Sequence, residues 1–550
     1  MNPENLRPIN LNPVNLCPDN LHDGNLGPVN LHAVNLRIVK MRGFVLILPW
    51  LCFLWQSLLA QSGDDSLSAL LAAIGTFVIF FDSFRPQRFY CYPLSTLVVI
   101  GFAVTLQLGP LLLTAVEGHT ITYNLLVPVA TFGHGLLSSV LSLVAHAIYR
   151  QSAWLVQLRT SVQHLLVRLG LFVPLRTGEI IAMGLIGLFA LAISSWFSGL
   201  VQSIELYKFI QGFQLFSIVP IAFVLRPLWI GNDYGLQEKS SGRFLALFLL
   251  FLILTIIVSI GGNSRAGFVG PLACLSIGLA LEWLYGLVKI RLKYVMAVAL
   301  TILLLLPLVT DLATAMVMVR GLRSDISPAE LLDKTLVQLR DREAIHKYRK
   351  ESDIVPSGEW SEAYVSNLFL ARFANAKFPD NSLEYAGQLS STSRDEMASF
   401  HWWRVLAQMP SPVLSLLGVS SETKAEVNSY SFGDKLCSLA TGSQYVLGSF
   451  RTGHYFGTGM AAFGFAYLPI LLVSLLLIFP LLDAQALVGL RGFASAPIFS
   501  VVAITQFIAW FTLSNSESVV DFLVYPLRGL IQPVLLYALG RWLLGRMRFV

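Results

Sequence analysis

Residues 244–260 read Phe-Leu-Ala-Leu-Phe-Leu-Leu-Phe-Leu-Ile-Leu-Thr-Ile-Ile-Val-Ser-Ile, without one charged side chain. With Arg243 before it and Gly261 after it, this is about the twenty apolar residues that cross a bilayer as a helix. A turn follows, Gly261-Gly262-Asn263-Ser264-Arg265-Ala266-Gly267, and then a second apolar run to residue 288. Outward from this pair the pattern repeats. Further candidate spans cover 43–60, 66–82, 93–115, 121–149, 179–200, 207–230, 294–318, 458–481, 493–513 and 521–544. With 243–261 and 267–288 they number twelve, so the expected fold is an all-α polytopic membrane protein with about 12 transmembrane helices.

Composition agrees. Hydrophobic residues make up 55% of the 550 and charged residues 13%, where a soluble domain carries about 25% charge. That charge could not coat several soluble domains, whereas a lipid-facing surface needs none. The net charge of +6 does not point to nucleic acid, because Lys and Arg sit mainly between apolar blocks. The five cysteines, Cys17, Cys52, Cys91, Cys274 and Cys437, match no metal or redox spacing.

The connectors alternate in charge. One set carries Lys40 and Arg42; Arg85 and Arg88; Arg150, Arg159, Arg168 and Arg176; Lys239 and Arg243; Lys289, Arg291 and Lys293; Arg491; and Arg541, Arg546 and Arg548. The others, 61–65, 116–120, 201–206, 262–266 and 514–520, are nearly free of basic charge except for Arg265. The positive-inside rule makes the first set cytoplasmic, with both termini. Residues 319–457, the only long hydrophilic stretch between spans, then form a large, mostly helical periplasmic loop. It separates a nine-span block, 41–318, from a three-span block, 458–550. In the connector 151–176, Trp154, Leu155, Leu158, Val162, Leu165, Leu166 and Leu169 recur at helical spacing. That predicts a helix lying on the inner leaflet or packed on the bundle.

Residues 1–40 stand apart. Asn recurs at 5, 10, 15, 20, 25, 30 and 35, each followed by Leu. A pentapeptide β-helix would stack those Leu residues, but seven units make under two coils, and Pro8, Pro13, Pro18 and Pro28 remove ladder donors. The competing reading is translated repetitive DNA upstream of a start at Met41. Either way the arm is expected to be disordered or poorly packed.

Chemistry is expected at the external face. Arg265, between flexible glycines, offers the planar fork of donors that suits phosphate; the plainer reading is a snorkelling Arg at a helix start. Arg320 and Arg323 follow the ninth span, and Arg451 and His454 precede the tenth within Gly448-Ser449-Phe450-Arg451-Thr452-Gly453-His454-Tyr455-Phe456-Gly457. All lie at the height a lipid-linked pyrophosphate would occupy. In the large loop, Ser327-Pro328-Ala329-Glu330 reads as a helix start. Trp402 and Trp403 could stack on sugar rings, or sit at the membrane interface where Trp is common. His346 and His401 are candidate proton carriers. The available acids are Glu359, Glu362, Asp380, Glu384, Asp395 and Glu396. No metal motif and no phosphate-cradling G-x-x-x-x-G-K loop occurs. Within the spans, Glu282, Asp311, His134 and His146 form no evident relay, and the halves show no repeat of the transporter kind.

Ser264-Arg265-Ala266-Gly267 leading into Phe268-Val269-Gly270-Pro271-Leu272, Arg372-Phe373 in the large loop, and the Gly-rich run 448–464 together resemble the O-antigen polymerase and ligase superfamily of bacterial surface polysaccharides. In layout the likeness covers about residues 45–545. It implies polymerisation of undecaprenyl-pyrophosphate-linked oligosaccharide repeat units at the outer face of the inner membrane. Donor and acceptor would be lipid-anchored, with no nucleotide sugar, no other cofactor and no metal, and flippase and chain-length regulator proteins as partners. On this resemblance Arg265, Arg320, Arg323, Arg372, Arg451 and His454 would hold the pyrophosphate and Trp402 and Trp403 the sugar. Arg265, His401 and Glu396 would serve the chemistry. Three other readings stay open: a ligase of the same superfamily, a polyprenyl-phosphate-sugar glycosyltransferase using Asp64 and Asp65, and a transporter or flippase.

Overall fold

The computed structural model describes residues 36–197, 204–230, 242–262, 266–289, 292–319, 322, 326–352, 360–362, 364–365, 374–409, 411–488 and 496–546. Among these, nine helices are long and apolar enough to cross a membrane, and two shorter apolar helices, Val269–Leu284 and Pro307–Met318, accompany them. The chain is a multi-pass, all-α membrane protein. Residues 1–35 of the repetitive arm lie outside the described residues, and the first helix, Leu36–Leu59, begins with the Leu of the last Asn-Leu unit.

Three expected spans differ in shape. The stretch 493–513 is not one helix among the described residues. It contributes a strand, Ile498–Phe499, paired antiparallel with Ala486–Leu487, then the short helices Val501–Thr505 and Phe507–Phe511. Their side chains from Val501 to Thr505, with Phe507 and Trp510, are buried. An apolar run of that length fills the protein core here, where helix breaks are tolerated because neighbouring chain covers them. The stretch 121–149 becomes a helix only at Pro128, where Pro occupies the first turn. The stretch 207–230 starts as Ile204–Gly212, tightens into a 3-10 segment Phe213–Phe223 carrying Pro220, and ends in Arg226–Ile230.

The bundle is built around Pro93–Ala103, all eleven of whose residues are buried. Lipid offers little drive for apolar helices to associate, so close backbone approach matters. Gly457 shows the need: a Cβ there would lie 1.9 Å from Ser382 C.

Among the described residues, the basic connectors gather at one end of the bundle. Arg88 and Arg150 both pair with Asp82 at 3.0 Å. Arg37 reaches Trp283 O at 2.7 Å, Arg159 reaches Cys91 O at 2.8 Å and Arg541 reaches Gly170 O at 2.7 Å. The helix Ala153–Arg168 packs here through Leu155, Arg159, Gln163 and Leu166, and leaves Trp154 and Leu165 exposed.

The basic-poor connectors and the long hydrophilic segment gather at the other, loop end. Trp196 Nε1 donates to Val258 O at 3.0 Å, and Tyr364 Oη donates to Ile121 O at 2.6 Å. Leu126 N and Val127 N donate to the Asp380 carboxylate at 2.8 and 2.7 Å, and Tyr455 N donates to Ser516 O at 3.0 Å. The long segment is helical where described: Pro328–Arg340, Arg342–Ser352, Lys377–Gly387, Ser391–Leu406 and Phe432–Thr441.

Candidate functional site

A cavity of about 660 Å³ opens between the helix starting at Ile204, the helix starting at Ala266 and the last span. Its polar lining comes from Lys208, Gln211, Gln214, Ser217, Gln506, Tyr525, Arg528 and Gln532. Two of these are cations, and among the described residues no carboxylate lines it.

Local backbone geometry builds this lining. Gln214 and Ser217 lie in the 3-10 segment, where residues three apart eclipse one another, so both face the cavity; Ser217 Oγ donates to Gln214 O at 2.7 Å. On the opposite wall Pro526–Ile531 is a π-helical segment, the wide turn often found at functional sites. It carries Arg528, whose side chain is exposed although it lies within a span. Gly529 beside it is required, because a Cβ would lie 2.4 Å from the Tyr525 ring. Tyr525 Oη donates to Gln506 Oε1 at 3.3 Å, which leaves the buried Gln506 Nε2 without a partner at the cavity wall.

Two carboxyls lie just N-terminal to Tyr525 on the same stretch of chain. Glu517 accepts from Phe432 N at 3.1 Å, and Asp521 accepts from Ser518 N at 3.0 Å. Burial, then the neighbouring Asp521 charge, push the Glu517 carboxyl up to about 7, against the pull of the Phe432 N–H and Arg404. Arg404 is within electrostatic reach of Glu517, Asp521 and Arg528. It lies on the helix Ser391–Leu406, held over the Phe432 ring and donating to Val427 O at 3.1 Å.

The residues expected from sequence fall differently. Arg265, Arg320, Arg323 and Arg372 lie outside the described residues; Gly267, two positions after Arg265, lines the cavity. Arg451 is fixed by its backbone: its N–H donates to Asp434 at 2.9 Å and its carbonyl accepts from Ser431 Oγ at 2.6 Å. Its Nη1 is buried with no hydrogen-bond partner among the described residues. His454 caps the helix Tyr455–Phe463, its ring packed against Tyr455 and Phe456 and its Nε2 on Ser514 O at 3.0 Å. Burial pushes it down to about 3, so it is neutral.

His401 is a core residue. Its Nδ1 donates to Met397 O at 2.8 Å, its ring packs against Phe432 and Phe463, and burial pushes it down to about 4. Glu396 stands on the surface paired with Lys435. Trp402 and Trp403 are exposed, with Trp402 edge-on to Phe463. Asp65 is consumed in capping its own helix and accepts from Thr122 Oγ1.

Sequence reasoning missed Lys208, Arg528 and Glu517. The first two were visible as charges inside the expected spans 207–230 and 521–544, the ordinary sign of a functional position in a membrane protein. The chain matches no known family model, no curated protein and no solved structure.

Proposed function

We propose that this chain is a glycosyltransferase of the bacterial inner membrane that polymerises oligosaccharide repeat units carried on polyprenyl pyrophosphate. The observation that carries this reading is the cavity within the bundle whose lining, among the described residues, holds two cations and no carboxylate. A cation exposed inside a span is costly unless a pathway or an anionic ligand uses it. A pyrophosphate on a lipid tail supplies such an anion, and the lining residues Lys208, Gly267 and Tyr525 come from the span ends that charge alternation assigns to the outside.

In this mechanism the acceptor hydroxyl attacks the anomeric carbon of the donor sugar. The carbon–oxygen bond to pyrophosphate breaks and the leaving group takes the electron pair. Lys208 and Arg528 oppose the charge that grows on the pyrophosphate, the kind of preorganised stabilisation that dominates many enzymes. Glu517 does not line the cavity but lies N-terminal to its wall residue Tyr525; poised near neutrality, it is the base this reading assigns to the hydroxyl proton. Arg404 holds part of Glu517 in its charged form and links the large segment to the cavity.

The test is Arg528→Ala in a strain lacking the native gene, with glycan length read on a gel. Glycans of a single repeat unit are expected. Full-length polymer left on its lipid carrier would point to the ligase reaction instead, and unchanged glycans would sink both readings.

A further inference from the structure

The helix Pro128–Gln151 carries His134, Ser138, Ser142, His146 and Arg150 at a strict spacing of four, a stripe of successive neighbours that winds about 40° around the axis at each step. Ser138, Ser142 and His146 are completely buried. The reaction proposed above uses none of them, and polar groups in a bilayer core are costly to keep.

The hydrogen bonds at the basic end fix a direction. Ser95 Oγ donates its single proton to Asp483 Oδ2 at 2.6 Å, and Asp483 Oδ1 also accepts from Leu94 N and Ser95 N at 2.9 and 3.0 Å. Ser95 Oγ also lies 3.0 Å from His146 Nε2. Having spent its proton, the hydroxyl accepts there, so His146 carries its hydrogen on Nε2. The Nδ1 lone pair is then left open, and that atom is buried without a partner among the described residues. Serine lies between the acid and the histidine, an order that does not activate a nucleophile; an attacking serine needs histidine between itself and the acid. The order does suit proton passage: Nδ1 takes a proton, Nε2 gives one to Ser95, and Ser95 gives one to Asp483. Asp82, Arg88, Arg150, Arg159, Tyr92 and Tyr149 surround this half. Asp82, held by Arg150 and partly exposed, is a carboxylate within electrostatic reach of His146 at this end.

Toward the loop end the stripe continues. His134 Nδ1 lies 2.6 Å from Tyr467 Oη, and the Ser138 hydroxyl is near the Tyr467 and Tyr455 phenols, although Ser138 Oγ and Tyr455 Oη have no hydrogen-bond partner among the described residues. His454 is close enough to His134 to feel its charge. Between the halves, Ser142 is one helical turn from Ser138 and from His146, about 5–6 Å between Cβ atoms, and its Oγ donates to Ser139 O at 2.8 Å, so it must turn from that carbonyl to pass a proton on. Gln107 Nε2 donates to Ser139 Oγ at 3.2 Å, while its buried Oε1 has no partner among the described residues.

We propose that this stripe is a proton relay between the two ends of the bundle, a proton-transfer activity separate from the cavity. Each step breaks one N–H or O–H bond and forms another. The sum is one proton taken up at one end and released at the other, with no electron transferred.

The full-length protein, reconstituted in phosphatidylethanolamine–phosphatidylglycerol vesicles enclosing a pH-sensitive dye, tests this under a valinomycin-clamped potassium gradient. Proton influx above the protein-free rate is expected, and Asp483→Asn, His146→Phe or His134→Gln should return it to that rate. Asp311→Asn, which removes only the ion pair with Arg349, should not change it. If Asp483→Asn fails to fold, Ser142→Ala and His134→Gln decide. Influx at the protein-free rate in the unaltered protein, or undiminished influx in well-folded variants, would overturn the relay and leave the stripe as a polar clamp between helices. Neither result bears on the cavity.

Discussion

Asp380 Oδ1 accepts a hydrogen bond from Val127 N at 2.7 Å, across 253 positions of sequence. Leu126 N donates to the same carboxylate, and Lys377 Nζ pairs with it at 2.9 Å while almost fully buried. One carboxylate therefore fastens the large hydrophilic segment to the turn that starts the helix Pro128–Gln151. Asp380→Ala would leave a buried ammonium and two backbone donors unpaired. Breaking a buried pair from one side costs about 3–5 kcal/mol. Thermal unfolding in detergent should show a loss of that order, and Asp380→Asn should lose less, because it retains an acceptor for the N–H groups. Equal stability of all three proteins would refute this fastening.

Glu517 ties pH to both stability and rate. Its carboxyl is raised from the usual 4.5 to about 7, so the folded state holds a proton that the unfolded chain releases. Its stabilising contribution is full below pH 4.5 and is lost as pH rises through about 7. Activity should run the opposite way, rising through the same window as the base ionises. Glu517→Gln should flatten the stability slope and lower the transfer rate by about a hundredfold or more. A glutamine variant with an unchanged pH–rate profile would remove Glu517 from the chemistry.

The partition of the connectors was legible in the sequence because it rests on charge at helix ends, and charge is visible without coordinates. The docking of Asp380 on Val127 was not, since a carboxylate that serves distant backbone N–H groups leaves no spacing to read. Apolarity at 493–513 foretold neither the broken helix nor its surroundings, because a run such as Val501–Thr505 is equally apolar whether lipid or protein surrounds it. Residue type misled at His401: histidine suggested proton transfer, and only the packing of Phe432 and Phe463 shows a core side chain. Arg528 lay in plain view as a charge in the last span, yet its value depends on the facing wall of Lys208 and Gln211, more than 300 positions earlier.

Acid should loosen the loop end. His401 and His454 are both pushed below the usual 6.5, to about 4 and about 3, by burial. A depressed histidine stabilises above its unfolded value, and that stability drains away as pH falls from 6.5 through the folded value. Unfolding temperature should therefore decline below pH 6.5. His454→Asn, which can still cap the helix Tyr455–Phe463, should weaken that decline while keeping most of the stability at neutral pH. His454→Ala should cost about 1 kcal/mol through the lost cap. A decline that is the same in His454→Asn and the unaltered protein would assign it elsewhere.

Arg528 offers the sharpest separation between an anion site and an incidental charge. Its side chain is exposed to the cavity from a π-helical turn, and among the described residues no acidic partner pairs with it. A charge-assisted hydrogen bond contributes roughly 1.5–3 kcal/mol, so Arg528→Ala should weaken binding of a short-chain polyprenyl pyrophosphate about tenfold to a hundredfold. Arg528→Lys should recover only part of this, because an ammonium supplies charge without the planar fork. Arg528→Glu should abolish binding, and Lys208→Ala should act in the same direction from the opposite wall. Because no buried carboxylate is orphaned by these changes, unfolding temperature should barely move. Loss of stability with intact binding would make Arg528 a packing residue and empty the cavity of its proposed ligand.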